Sequence, residues 1–303
     1  MDLSFSSNTK SEICKNFQLQ NCCAEAEFYG CILYCNTFSK DIIKIVTENR
    51  PFAKRLIKLL KKTFGFEFDI FPEDMDKKGK LILAITDKKK LDRIFETYGY
   101  ERGAVLAHHI NFGVIENECC SRSFARGAFL AGGSVTDPEK RYHLELVTAH
   151  YNVSREMTAL LMDIGFEPKN TSRNGNYITY FKNSTAIEDF LTTIGAPVAA
   201  MEIMSAKITK GMNNTINRKL NCDEANISKT VEAAAEQIEA IMRINSIKGI
   251  DNLPDKLSET AKLRLENPEL SISQLAEMMN PPVTKSCLSH RLRKIMKIAD
   301  ELK

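Results

Sequence analysis

Between Thr284 and Lys297 the chain carries five basic side chains, Lys285, Arg291, Arg293, Lys294 and Lys297, and no acid. His290, Ser286 and Ser289 add shorter hydrogen-bonding groups to the same stretch. Leu288, Leu292, Ile295, Ala299 and Leu302 recur at steps of four, three, four and three, so on a 3.6-residue helix they form one narrow apolar face. The opposite face collects Ser286, Ser289, His290, Arg293 and Lys297, flanked by Lys285, Arg291 and Lys294. Arginine and lysine bind guanine edges or phosphates, while serine and histidine reach bases at shorter range. The outward group is therefore expected on base edges and the flanking group on phosphates of double-stranded DNA. A solvated basic helix in an ordinary helical domain would share the charge pattern.

Such a helix reads DNA only if others hold it. Leu257, Ala261 and Leu265 give a preceding helix an apolar stripe that ends at Asn267-Pro268. Ser271-x-x-Gln274 has the form of a capping box and starts a short helix through Met279. Asn280-Pro281-Pro282 is a hard stop, because neither proline can donate a backbone hydrogen bond. The basic helix runs from Thr284 to about Leu302, and the whole reads as a helix-turn-helix. Upstream, Pro197 to about Met212 reads as a helix, and NRKLNCDEANISKT leads into another, Asn226 to Ile244. Val231, Ala234, Ala235, Ile238, Ile241 and Met242 are expected on one face of that helix. The breaker segment Ser246 to Lys256 is expected as a hinge.

A chain of 303 residues has room for two domains, and its 43% hydrophobic and 27% charged residues suit a soluble globular protein. A net charge of +3 names no partner, so any DNA surface must be a local concentration of cations. The sequence has no run of about 18 apolar residues and no basic-then-apolar leader, which predicts a cytoplasmic protein with no membrane partner. The nine cysteines include no C-x-x-C pair, and reduced, mostly buried thiols are expected. His143 with His150, and His108 with His109, lack a third ligand, so neither pair predicts a metal site. No cofactor is expected.

The first 200 residues contain an internal duplication. After a polar segment, residues 1–20, with a small helix near Ile13 and Phe17, Ala24 to Cys35 is an apolar helix interrupted by Gly30. Ile42 to Thr47 follows as a strand and Pro51 to Phe64 as an amphipathic helix. Strands Phe66 to Phe71 and Leu81 to Thr86 flank a loop of Asp, Lys and Gly, and a helix spans Asp87 to Tyr98. The order recurs with helix Ser121 to Ala131, strand Tyr142 to Thr148, helix Ser154 to Ile164, strands Phe166 to Lys169 and Tyr177 to Phe181, and helix Ser184 to Ile194. Gly30 answers Gly127, and Phe64-Gly65-Phe66-Glu67 answers Ile164-Gly165-Phe166-Glu167. The expected domains are 21–100 and 101–200 for the two copies, a linker 201–225, and a helical DNA-binding domain 226–303.

FARGAFLAGGSV, Phe124 to Val135, resembles the LAGLIDADG helix of homing endonucleases. Gly127 falls on the motif's middle glycine, Gly133 on its last, and Ser134-Val135 on the Ser-Ile that follows. The resemblance implies two such helices packed at a pseudo-twofold axis. The fold class is then α+β: a duplicated αββαββα LAGLIDADG-like saddle followed by an all-α helix-turn-helix domain. Nuclease chemistry needs a metal-binding carboxylate at the end of each central helix. Those positions are Cys35 and Gly132, so no catalytic residue is assigned. Asp137 and Glu139 nearby are expected as turn residues.

With SFSS near the start, Cys22-Cys23, NRKLNCDEAN, LRLENP and PPVTKSCLSHRLRKI, the chain resembles the WhiA family of bacterial regulators over nearly its whole length. That resemblance implies a sequence-specific DNA-binding transcription regulator linked to sporulation septation, cell division and chromosome segregation, residing at the nucleoid. It also implies a scaffold that no longer cuts DNA and that binds a protein such as a sigma factor. Two other readings stand beside it: a protein-interaction or ligand-sensing adaptor, and a residual endonuclease.

Overall fold

The computed structural model describes residues 4–74, 79–100 and 108–302, and divides into two units, Met1–Lys210 and Gly211–Lys303. The loop residues 75–78 and the residues 101–107, where the second copy was expected to begin, lie outside the described residues.

The first unit opens with α1 (Phe5–Lys15), capped by the Ser4 hydroxyl, which accepts from Ser7 N at 3.2 Å. Two copies of a related order follow. The first is α2 (Asn21–Leu33), β1 (Thr37–Phe38), β2 (Ile43–Thr47), α3 (Arg50–Phe64), β3 (Leu81–Ile85) and α4 (Lys88–Tyr98). The second is α5 (Glu118–Gly132), β4 (Gly133–Val135), β5 (Leu144–Thr148), α6 (Tyr151–Asp163), β6 (Lys169–Arg173), β7 (Asn176–Phe181) and α7 (Ser184–Ile194). Each copy builds an antiparallel sheet, ordered β1-β2-β3 in the first and β4-β5-β7-β6 in the second. Alternation puts Ile43, Ile45, Leu144 and Leu146 into the core.

The two copies meet through α2 and α5, which share the most extensive contact between any two elements described. A β-carbon on Gly30 would run into Phe124 O and lie 2.9 Å from Ala128 N. One on Gly127 would run into Glu27 O and lie 3.0 Å from Cys31 N. Only hydrogen at both positions lets the backbones come this close. Beside the crossing, Glu27 is fully buried and is held by Arg55 of α3 through both carboxylate oxygens and by Arg126 of α5 at 3.2 Å. Arg55 also donates to the carbonyls of Ile13 and Asn16, which ties α1 to the same centre.

Two expected strands differ. Phe66 to Phe71 forms no strand but a single bridge, Ile70 to Ala84. The N–H groups of Asp69 and Ile70 both converge on Ala84 O, and the Asp69 carboxylate takes the N–H groups of Thr86 and Asp87, so side-chain bonds replace a ladder. In the second copy the strand begins at Lys169 rather than Phe166. Phe166 is drawn into the core by its N–H bond to Leu161 O, and Pro168 has no N–H to give.

α8 runs unbroken from Pro197 to Ile247, and the division between the units falls within it. The segment 201–225, expected as a linker, is helical throughout, and of the expected hinge or linker at Ser246 to Lys256 only residues 248–254 lie outside α-helix, with a 3-10 turn at Ile250–Asn252. In the second unit the end of α8 packs against α9 (Asp255–Glu266), α10 (Ile272–Met278) and α11 (Lys285–Asp300). Its buried residues are Ala234, Gln237, Ala240, Ile241 and Ile244, whereas Val231, Ala235 and Met242, expected on that face, are exposed. Gln237 turns inward because its side-chain oxygen accepts from Arg264 Nε at 3.0 Å.

Candidate nucleic-acid interface

Thr284 caps α11 by accepting from Cys287 N at 3.2 Å, and Val283 N–H bonds Ala276 O at 3.0 Å, which fixes the turn from α10. The expected capping box at α10 is present, with Ser271 and Gln274 exchanging bonds. Leu288, Leu292, Ile295 and Ala299 are buried against Leu257 and Ala261 of α9 and Leu275 and Ala276 of α10, and Leu302 is half-buried. This anchoring leaves the other face outward. Lys285, Ser286, His290, Arg293, Lys294 and Lys297 are exposed, while Ser289 and Arg291 are half-buried. Among the described residues none of the side chains of Lys285, His290, Arg291, Arg293, Lys294 or Lys297 enters an ion pair or hydrogen bond. The helix therefore presents cations that no neighbour neutralises.

Arg264 ties together three parts of this platform, and in the sequence it stands out only as part of LRLENP. Its guanidinium is buried and donates to Gln237 Oε1, to Leu270 O at 2.6 Å and to Asn267 O at 3.4 Å. The α9–α10 loop is thereby pinned to α8. Burial pulls the Arg264 pKa below its ordinary value. A cleft beside it is lined by Lys229, Thr230, Ser271, Ser273 and Lys285. Lys229 and Ser273 extend the polar, basic surface beyond α11. Neither shows in a linear reading, because they lie on α8 and α10.

The positions where a LAGLIDADG nuclease would hold metal are closed. A β-carbon on Gly132 would lie 2.5 Å from Val147 O and 3.0 Å from the Tyr34 ring, so no carboxylate fits there. The Cys35 thiol donates to Thr37 O at 3.1 Å, and burial pushes its pKa up to about 12. Asp137 does shape a turn, its carboxylate accepting from Glu139 N at 2.9 Å. His143 bonds Glu145 at 3.2 Å, while His150 stacks on His108 with ring centroids 3.7 Å apart. The thiols are free, as expected, but not mostly buried: only Cys23, Cys31 and Cys120 are, because the others sit at helix ends and on outward faces.

Comparison with known proteins places both units. A model of the WhiA LAGLIDADG-like domain matches residues 121–213, and one of the WhiA C-terminal HTH domain matches residues 216–299. A "probable cell division protein WhiA" from Alkaliphilus metalliredigens is 37% identical, with 98% of each chain covered. The chain belongs to the WhiA family. A WhiA relative from Ruminiclostridium cellulolyticum is 38% identical over 99% of this chain and 98% of its own. The full-length WhiA structure from Thermotoga maritima superposes with a TM-score of 0.60 at 25% identity, covering 99% of both chains. The N-terminal LAGLIDADG domain of a WhiA protein superposes with a TM-score of 0.50 at 19% identity, covering 64% of this chain and 94% of that one, a likeness of fold. The fold is thus α+β, with a WhiA-type LAGLIDADG-like region and a helical helix-turn-helix region. No helix among the described residues is long and apolar enough to cross a membrane.

Proposed function

We propose that this WhiA-family chain is a sequence-specific DNA-binding transcription regulator that does not cut DNA. The observation that carries the reading is α11: one face is locked into the core, and the other offers unpaired cations with no acid among them. In this reading Ser286, Ser289, His290, Arg293 and Lys297 meet base edges in the major groove, and Lys285, Arg291 and Lys294 meet phosphates. The protein acts at the nucleoid in the cytoplasm. Its role lies in cell division, the function named in its relatives, with sporulation and chromosome segregation following from family resemblance. The closed positions at Gly132 and Cys35 argue against a residual endonuclease. Selection of bound sequences from random duplex DNA by the full chain tests the reading. A consensus site is expected, and enrichment of no sequence would overturn it.

A second reading is favoured by a separate observation. On the first-unit part of α8, Val198, Met201, Met204 and Ile208 stand at helical spacing and are at least half exposed. An apolar stripe of this kind suits a protein partner, such as a sigma factor, docking on the scaffold. Capture experiments with the full chain, with and without its DNA site, separate the readings. A partner lost on Met201→Glu but retained without DNA supports the adaptor.

A further inference from the structure

The two central helices begin alike. Each carries two adjacent cysteines in its first turn, Cys22 and Cys23 on α2 and Cys119 and Cys120 on α5. In each helix the first cysteine lies eight residues ahead of the glycine at the crossing, Gly30 or Gly127. The duplication that brings the glycines together therefore also gathers the thiols. All four sulfurs lie within 4.8 Å of one another, and Cys119 Sγ is 3.9 Å from Cys120 Sγ. Cys23 and Cys120 are buried, whereas Cys22 and Cys119 are open to solvent, which leaves an ion a way in.

These dimensions select a ligand. Sulfurs about 2.3 Å from a tetrahedral ion stand about 3.8 Å apart, a spacing this cluster nearly has already. An iron–sulfur cluster places several metal and sulfide atoms between its cysteines and needs a wider cage. Four soft donors in a tetrahedral set suit zinc rather than magnesium or calcium. Four thiolates on a dication leave a net negative charge. The cysteines lie in the first turns of two helices, whose positive N-terminal ends offset it. We infer that Cys22, Cys23, Cys119 and Cys120 form a structural zinc site that clips the N-terminal ends of α2 and α5 together. Binding converts thiols to thiolates and releases their protons to solvent. The site is distinct from α11 and from the closed nuclease positions, which lie at the other ends of the same two helices.

The test uses the full chain, reduced, stripped with a chelator and titrated with Zn²⁺, and in parallel with Co²⁺. About one zinc per chain is expected, as in closed four-ligand sites. The cobalt form should show thiolate charge-transfer bands and strong tetrahedral ligand-field bands. Zinc should raise the thermal midpoint. The double variant Cys22→Ser/Cys119→Ser, changed only at the exposed pair, should lose loading and the zinc-dependent rise while keeping the midpoint of metal-free protein. The control Cys222→Ser/Cys287→Ser should load fully. The inference is overturned if the reduced chain takes up no zinc, or if the cobalt spectrum is octahedral, a result readable on the unaltered protein. It is equally overturned if the double variant binds zinc as before, if iron is the metal retained, or if protein from cells carries a disulfide among the four.

Discussion

Arg126 of α5 donates to the buried carboxylate of Glu27 on α2 at 3.2 Å, so an ion pair joins the two copies of the duplication one residue from the Gly127 crossing. The same guanidinium bonds Ile194 O at the end of α7 at 2.7 Å. With Arg55 of α3 on its other side, Glu27 is a charge whose partners come from two other helices. Removing it strands the Arg55 guanidinium, which is 2% exposed. We predict that Glu27→Ala lowers unfolding free energy by about 3–5 kcal/mol in urea titrations. Glu27→Leu combined with Arg55→Met should recover part of the loss, because no unpaired charge is then buried at that pair. A single variant as stable as the parent would remove the pair from the account.

The crossing itself tolerates no added atom. Gly127→Ala places a methyl group against backbone rather than against a movable side chain. The expected cost is about 3 kcal/mol, at the upper end of overpacking effects. Differential scanning calorimetry should show a clear drop in midpoint, and an unchanged midpoint would mean that the helices part easily.

Restoring the missing acid should not restore cleavage. Gly132→Asp collides with Val147 O and Tyr34 before its carboxylate can reach a metal. The variant is expected to be less stable and to leave supercoiled plasmid intact in Mg²⁺ or Mn²⁺. Nicking that needs the new aspartate would show the site to be dormant rather than closed.

On α11 the two classes of contact should separate by salt. Arg293→Ala is expected to weaken binding to the preferred site by about 1–3 kcal/mol and to relax base choice. Lys294→Ala should weaken binding to every sequence and flatten the dependence of affinity on salt. Footprints unchanged by both would assign recognition to another element.

Acid should loosen the first unit through His150. Burial, and secondarily the neighbouring His108, lower its pKa from 6.5 to about 4. The folded chain therefore takes up this proton less readily than the unfolded one. The stability tied to neutral His150 is complete above pH 6.5 and is lost as pH falls towards 4. Because the ring is partly solvated, the loss is expected to be on the order of 1 kcal/mol. His150→Phe keeps a ring to stack on His108 but cannot titrate, so its midpoint should fall less than the parent's between neutral and acid pH. Equal falls would assign the acid sensitivity elsewhere.

Legibility in the sequence followed the strength of local signals. α11 is legible because its apolar period and the stop at Pro281-Pro282 agree. β6 was misplaced because KNTSR has no alternation and every residue of it is exposed. Its signal lay in the turn instead: Asn174 and Gly175 both have positive φ and close a two-residue hairpin, a pattern specific to Asn-Gly. In the segment 201–225 the expected helix stops at about Met212 and polar residues follow, yet there is no proline and only Gly211 to interrupt a helix, so α8 continues through it. Glu27 and Gln237 were unreadable in principle, since each is buried for an arginine distant in sequence. The cysteine cluster was hidden in the same way: neither adjacent pair has zinc spacing, and the set exists only once two helices meet.

Glu12 of α1 accepts the N–H groups of Val198 and Ala199 at 2.7 and 3.0 Å, closing the first turn of α8 with a residue 186 positions upstream. On the ribosome, α1 emerges long before α8 exists, and α2 waits likewise for α5. The first copy must therefore stay unfinished, with its apolar helix uncovered, while most of the unit is translated. Joining the copies at their centre makes the decisive contacts distant in sequence, and contacts of that kind slow folding.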